Sequence, residues 1–180
     1  MVNKIKYFLI PLYLYGCFNQ IKSIHAVPNL SKKLRMDGYY YLIEKDGDRY
    51  IASIYFFYQN GIMYYQDSRE YLIESDILNQ LDSQNIEYQK IIKRRGGEQG
   101  YYGKWGLYYL IGDSILIRRQ GFGPGKRMFE MMGEVINSTS FHISKLREMF
   151  TFKSKNYSEN TYYYFKQSDA KPDSTNHFFK

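Results

Sequence analysis

Three short glycine turns, each set between runs of apolar and aromatic residues, constrain this chain more than any other feature. Asp46-Gly47 follows Tyr39-Tyr40-Tyr41-Leu42-Ile43-Glu44, Asn60-Gly61 follows Ile54-Tyr55-Phe56-Phe57-Tyr58, and Gly112-Asp113 separates Leu107-Tyr108-Tyr109-Leu110-Ile111 from Ser114-Ile115-Leu116-Ile117. A two-residue hairpin loop needs positive φ, which Gly, Asn and Asp adopt most readily. The first turn predicts Glu44 opposite Arg49, Ile43 opposite Tyr50 and Tyr41 opposite Ala52. The second predicts Tyr58 opposite Met63 and Phe56 opposite Tyr65. The third pairs Leu110 with Ile115 and Tyr108 with Ile117, and puts Tyr109 and Leu116 on the other face, with Leu107 opposite Arg118. Apolar partners meet in these registers, as stable cross-strand pairs require. One face of the opening meander then collects Tyr41, Ile43, Ala52, Ile54, Phe56, Tyr58 and Met63.

The rest of the chain extends the pattern. Its 21 tyrosines and 12 phenylalanines, against 4 prolines, suit pleated, half-buried surfaces. The domain is expected to begin at Met36-Asp37-Gly38. Ser68 to about Leu81 breaks the alternation: Leu72, Ile73, Ile77, Leu78 and Leu81 fall near helical spacing, with Glu70, Glu74 and Asp76 as the solvated side. Residues 85–92 read as a strand, followed by a basic loop, Lys93-Arg94-Arg95-Gly96-Gly97. Further strands are expected over 128–136, at Ser140-Phe141-His142-Ile143, around Phe150 and Phe152, and over 161–167. Eight to ten sequential strands and one short inserted helix, without βαβ alternation, predict an all-β antiparallel meander. An up-and-down, lipocalin-like barrel is the expected form, and a β-sandwich the alternative.

The N-terminus carries an address. Lys4 and Lys6 precede the apolar run Tyr7-Phe8-Leu9-Ile10-Pro11-Leu12-Tyr13, which ends in Leu14-Tyr15-Gly16-Cys17. Basic residues, a short apolar segment and a small residue before a cut describe an export signal, and the run is too short to span a bilayer. Its ending resembles the lipobox of bacterial lipoproteins, in which the cysteine is acylated and becomes the first mature residue. A plain secretory cut after Ala26 is the alternative. The lipoprotein reading divides the chain into a signal over 1–16, a tether over 17–35 and one β domain over 36–180. Cys17 is the only cysteine, so the mature domain contains no disulfide and stands on its core alone. Removing the signal lowers the net charge from +7 to +5, short of the dense basic patch of a nucleic-acid binder.

The lipobox, the opening Asp37-Gly38-Tyr39-Tyr40, Trp105-Gly106, Gly133 with Asn137-Ser138-Thr139-Ser140-Phe141, and Tyr162-Tyr163-Tyr164-Phe165-Lys166 with Lys171-Pro172-Asp173-Ser174-Thr175-Asn176 together resemble small lipocalin-like lipoproteins of Bacteroidota. The resemblance implies a fold and an outer-membrane address, and carries over no ligand or site residue. Asp113-Ser114-Ile115 and Asp173-Ser174-Thr175 resemble the O-glycosylation pattern of that phylum and read equally well as turn chemistry. No acidic run follows Cys17, which favours the periplasmic side over the cell surface.

Chemistry is sparse. Gly121-Phe122-Gly123-Pro124-Gly125-Lys126 lacks the spacing of a phosphate loop, and Pro124 removes a backbone donor. His25, His142 and His177 are too far apart for metal-ligand spacing. No nucleophile–base set assembles, so no catalytic residue, metal or cofactor is assigned and the chain is not read as an enzyme. Two candidate sets remain. Tyr41, Ile43, Ile54, Phe56, Tyr58, Tyr108 and Ile117 are candidates to line a barrel holding a small apolar ligand. Lys93, Arg94, Arg95, Lys126 and Arg127 are candidates to meet an anionic surface, while Arg118 and Arg119 must point to opposite faces of one strand. The expected function is a lipid-anchored envelope protein that binds an apolar ligand. An interaction module with exposed tyrosines is the alternative, and a hydrolase a distant third.

Overall fold

The alternation of large apolar residues closes into a barrel of eight antiparallel strands in simple up-and-down order. The computed structural model describes residues 28, 32–68, 72, 76–94, 104–121, 128–149, 154–169 and 171. The strands are β1 (Gly38–Asp46), β2 (Arg49–Phe57), β3 (Ile62–Asp67), β4 (Trp105–Ile111), β5 (Ser114–Gln120), β6 (Met128–Asn137), β7 (Ser140–Met149) and β8 (Ser154–Gln167). One helix, α1 (Ile77–Arg94), lies between β3 and β4 in sequence. β1 closes the barrel against β8, with Tyr40 opposite Phe165. The expected signals around Phe150 and Phe152 lie outside the described residues.

Two of the three hairpins differ from their expected registers. The third forms as expected, with Leu110 opposite Ile115 and Tyr108 opposite Ile117. The first turns at Gly47-Asp48, pairing Asp46 with Arg49 and Tyr41 with Ile54. Gly47 takes the left-handed conformation, φ 62, and the slip of two leaves every side chain on its expected face. The second uses a three-residue loop, Gln59-Asn60-Gly61, closed by Tyr58 N donating to Ile62 O at 3.0 Å. Gly61 takes φ 79, as such loops require. Phe57 is therefore opposite Met63, and Phe56 opposite Tyr64. This slip of one moves Met63 from the face expected for it to the other.

That face matters because the barrel has two cores. Inside it, Tyr40, Tyr55, Phe57, Met63, Tyr65, Tyr108, Ile115, Ile117, Phe141, Ile143 and Tyr163 pack together. On the outer wall, Tyr39, Ile54, Phe56, Ile62, Tyr64, Trp105 and Leu107 pack against Leu81 and Tyr88 of α1. The strands under the helix are buried on both faces, which explains their unbroken apolar runs. The helix expected over 68–81 instead spans 77–94, and the strand expected over 85–92 is its second half. Ile77, Leu78, Leu81 and Tyr88 share its buried face at helical spacing. A polar clamp fixes the helix: Lys166 pairs with Asp82 at 2.6 Å and donates to Leu78 O, and Tyr39 OH donates to Asp82 at 2.9 Å.

Residues 32–37, the first of them assigned to the tether from sequence, close the end of the barrel where β1 begins. Leu34 inserts into the inner core. Arg35 N donates to Ser138 O at 3.1 Å, and Tyr40 OH donates to the same carbonyl at 2.7 Å. Lys33 reaches Gly112 O and pairs with Asp113 in the β4–β5 turn. Lys171 binds the strap from outside, its Nζ donating to Met36 O at 2.5 Å and Phe57 O at 2.7 Å.

Candidate functional site

Strand alternation puts Ile115, Ile117 and residue 119 of β5 on one side, and that side is the barrel interior. Residue 119 is an arginine. Its guanidinium sits over the Tyr65 ring at 4.0 Å and the Phe129 ring at 4.9 Å, so aromatic rings occupy its faces. Among the described residues its Nε has no hydrogen-bond partner, while the guanidinium hydrogen-bonds the Tyr55 hydroxyl. Around it stand Tyr55, Tyr65 and Tyr163, with the Tyr55 phenol the strongest influence on its charge after burial itself. Burial disfavours the cation, while Tyr55, Tyr65 and Asp67 favour it, and the balance lies above its ordinary value.

The phenols form a connected layer. The rings of Tyr55 and Tyr65 are 5.0 Å apart, and those of Tyr55 and Tyr163 5.2 Å. Tyr55 OH donates to Met131 Sδ at 3.4 Å, and Tyr65 OH donates to Asp67. Ser53 Oγ lies 3.3 Å from Tyr65 OH. Burial pushes all three phenols well above the usual tyrosine range. They stay protonated, and so remain hydrogen-bond donors, throughout the physiological range.

This layer divides the interior. Toward the strap, Phe57 packs on Tyr108 at 4.7 Å and Phe141 stacks on Tyr163 at 4.8 Å, and Leu34 fills the end. Toward the opposite mouth, Ser53, Arg119 and Leu146 are only partly buried. The strap end carries an open groove of about 630 Å³ lined by Met36, Asp37, Tyr58, Gln59, Asn60 and Lys171. Burial pushes the Lys171 amine down to about 8, with Asp37 pulling the other way. That amine is committed to two backbone carbonyls, so we assign the groove's lysine a structural role.

The sequence-derived lining set divides between the two cores. Tyr108 and Ile117 face the interior. Tyr41, Ile43, Ile54, Phe56 and Tyr58 belong to the outer wall under α1, because the helix, rather than the lumen, is what their face covers. Of the basic set, Lys93 and Arg94 end α1, and Arg95, Lys126 and Arg127 lie outside the described residues, as do Cys17, Glu70 and Glu74. Arg118 faces outward and pairs with Glu130 at 2.6 Å, with Arg147 on the far side of the same carboxylate at 3.7 Å. His142 stacks on Tyr162 at 4.4 Å and bonds Asn160 at 3.0 Å, an outer-wall arrangement. Among the described residues no group of His, Cys, Asp and Glu is placed to hold a metal ion, and no helix is long and apolar enough to cross a membrane.

No family model matches the chain. No curated protein and no solved structure matches it either. The fold and the Arg119 cluster therefore carry the functional argument alone. The sequence held one signal for that cluster: a cation in phase with Ile115 and Ile117.

Proposed function

We propose that this protein is a lipid-anchored cell-envelope binder, held through Cys17 and facing the periplasm, whose barrel takes a small molecule through the mouth at Arg119. The different chemistry of the two ends of the barrel supports the reading. One half is packed with aromatic rings and closed by the strap, whereas the other presents a cation and several phenols at a partly open layer. Eight-stranded barrels of this size hold either packed side chains or one small ligand, and a buried polar group in an otherwise apolar interior marks a recognition element.

Two measurements test it. Native mass spectrometry of the protein recovered from its own envelope is expected to show a small-molecule adduct that denaturation releases. A clean apo mass in every preparation overturns the binding reading. Cys17→Ser is expected to abolish labelling by an alkyne fatty acid and to release the protein from the membrane fraction, and a variant that keeps both label and location overturns the anchor.

A second reading rests on the outer wall of β7 and β8. Tyr162 and Tyr164 are exposed there, the first stacked on His142. Exposed tyrosines suit protein contacts. A photo-crosslinker replacing Tyr164 is expected to capture a recurrent envelope protein if this wall is the working surface, and capture of self and lipid alone counts against it.

A further inference from the structure

We infer that the ligand is an anion that enters acid end first, its carboxylate, sulfonate or phosphate group held by Arg119 within the Tyr55–Tyr65–Tyr163 layer. The inference deepens the binding reading above and rests on it.

Arg119 is a cation held largely out of water. Taking a guanidinium out of water is expensive unless acceptors surround it in its own plane. Here the guanidinium lies over the rings of Tyr65 and Phe129, its Nε has no partner among the described residues, and the Tyr55 hydroxyl is its neutral hydrogen-bond partner. Among the described residues no carboxylate forms an ion pair with it. Asp67 acts through space and accepts its hydrogen bond from Tyr65. The contrast with its sequence neighbour is direct: Arg118 has Glu130 at 2.6 Å. One strand thus carries a cation paired with a carboxylate on its outer face and, on its inner face, one whose hydrogen-bond partner is the neutral Tyr55 phenol.

The surroundings select the sign and the size of the guest. The hydroxyl protons of Tyr55 and Tyr65 are already given to Met131 Sδ and Asp67, so Arg119 is the group in the layer that an acceptor with two or three oxygens would serve. A cationic guest would meet Arg119 with like charge, and a neutral one would leave the guanidinium charge unpaired. Depth is limited, because Phe57, Tyr108 and Phe141 fill the barrel beyond the layer. The acid group therefore stops at Arg119 and the apolar body lies in the mouth, near Leu42 and Leu146, the partly buried apolar residues that pack on this core.

The test compares octanoate, octanesulfonate and octyl phosphate with octanol and octylamine, each displacing a fluorescent apolar dye from the full-length protein. At least one acid is expected to bind tenfold or more tightly than octanol, with octylamine weakest. Arg119→Met is expected to remove that preference, and Arg119→Lys to keep part of it. Because Arg119→Met removes a poorly satisfied charge, the ligand-free variant is also expected to unfold at a temperature no lower than the parent. Equal binding of acids and octanol, or an unchanged preference in Arg119→Met, overturns the inference while leaving the binding reading intact. A marked loss of stability in Arg119→Met also overturns it, by showing the cation to be structural. Displacement by none of the five probes overturns the binding reading itself.

Discussion

Raising the pH above 10 is expected to unfold this protein steeply. Burial pushes the phenols of Tyr39, Tyr40, Tyr55, Tyr65 and Tyr163 upward in the folded state, most deeply for Tyr55, Tyr65 and Tyr163. In the unfolded chain these phenols ionise near 10. Above that pH the unfolded state releases protons that the folded state keeps, so stability falls as pH rises. Three deeply buried phenols each lose about 1.4 kcal/mol per pH unit, or roughly 4 kcal/mol together by pH 11. That loss approaches the whole stability of an ordinary domain, about 5–15 kcal/mol. Lys171 works in the opposite sense: its amine, at about 8 when folded against 10.5 ordinarily, adds stability as pH climbs through that window. A rise between about pH 8 and 10 followed by a sharp fall is the expected shape. Urea midpoints measured beside phenolate absorbance check it. Smooth titration of all tyrosines near 10 with native circular dichroism would contradict it.

The second large effect lies on the wall away from the helix. Gly133→Ala would bring a Cβ within 1.8 Å of the His142 carbonyl oxygen and 2.9 Å of Ile143 Cα. Both belong to the backbone of β7, which cannot rotate away as a side chain would. The site also adjoins a register shift between Met132 and Gly133, so the close approach is part of how β6 and β7 curve. A cost of about 3 kcal/mol or more is expected, lowering the melting temperature by roughly 10 °C in a chain of this length. Gly47→Asn is the matched control, since Asn tolerates positive φ and nothing lies within 4 Å of a Cβ at that turn. A Gly133→Ala variant that melts with the parent would refute the steric reading.

Much of the barrel was legible in the sequence because turn dipeptides and strand periods are local signals. What they left open was parity. At Gly47 the slip was even and harmless. At Gly61 one more loop residue reversed the face of Met63, and no local signal separates a two-residue loop from a three-residue one around Asn-Gly. The helix is hard to read for a related reason: in its second half a polar residue, Asn85, is buried beside Tyr88 while the apolar Ile86 is exposed, so the apolar pattern does not mark the buried face. The covering of β1 to β4 by that helix then decided which tyrosines face the lumen. Nothing in the periodicity of those strands distinguishes an inner face from an outer one when both are buried.

The site was readable in part. The strand period alone separates Arg118 from Arg119, and Ile115 and Ile117 share the inward phase of Arg119. The phenols that surround it come from β2, β3 and β8, strands separated by up to a hundred residues, and only barrel closure brings them together. Such long-range convergence has no sequence period.

The placement of α1 also makes the wall unequal in thickness. Over β1 to β4 the sheet is sandwiched between the inner core and the helix, and each strand is gripped from both sides. Over β6 to β8 it is, among the described residues, a single layer, interrupted by register shifts between Met132 and Gly133, between Val135 and Asn137, and between Ile143 and Lys145. A shell built this way is stiff on one flank and compliant on the other, because opening is easiest where packing is one-sided and the ladder is already broken. When the lumen must widen, the thin flank is the one that yields, and the helix-backed flank holds the shape.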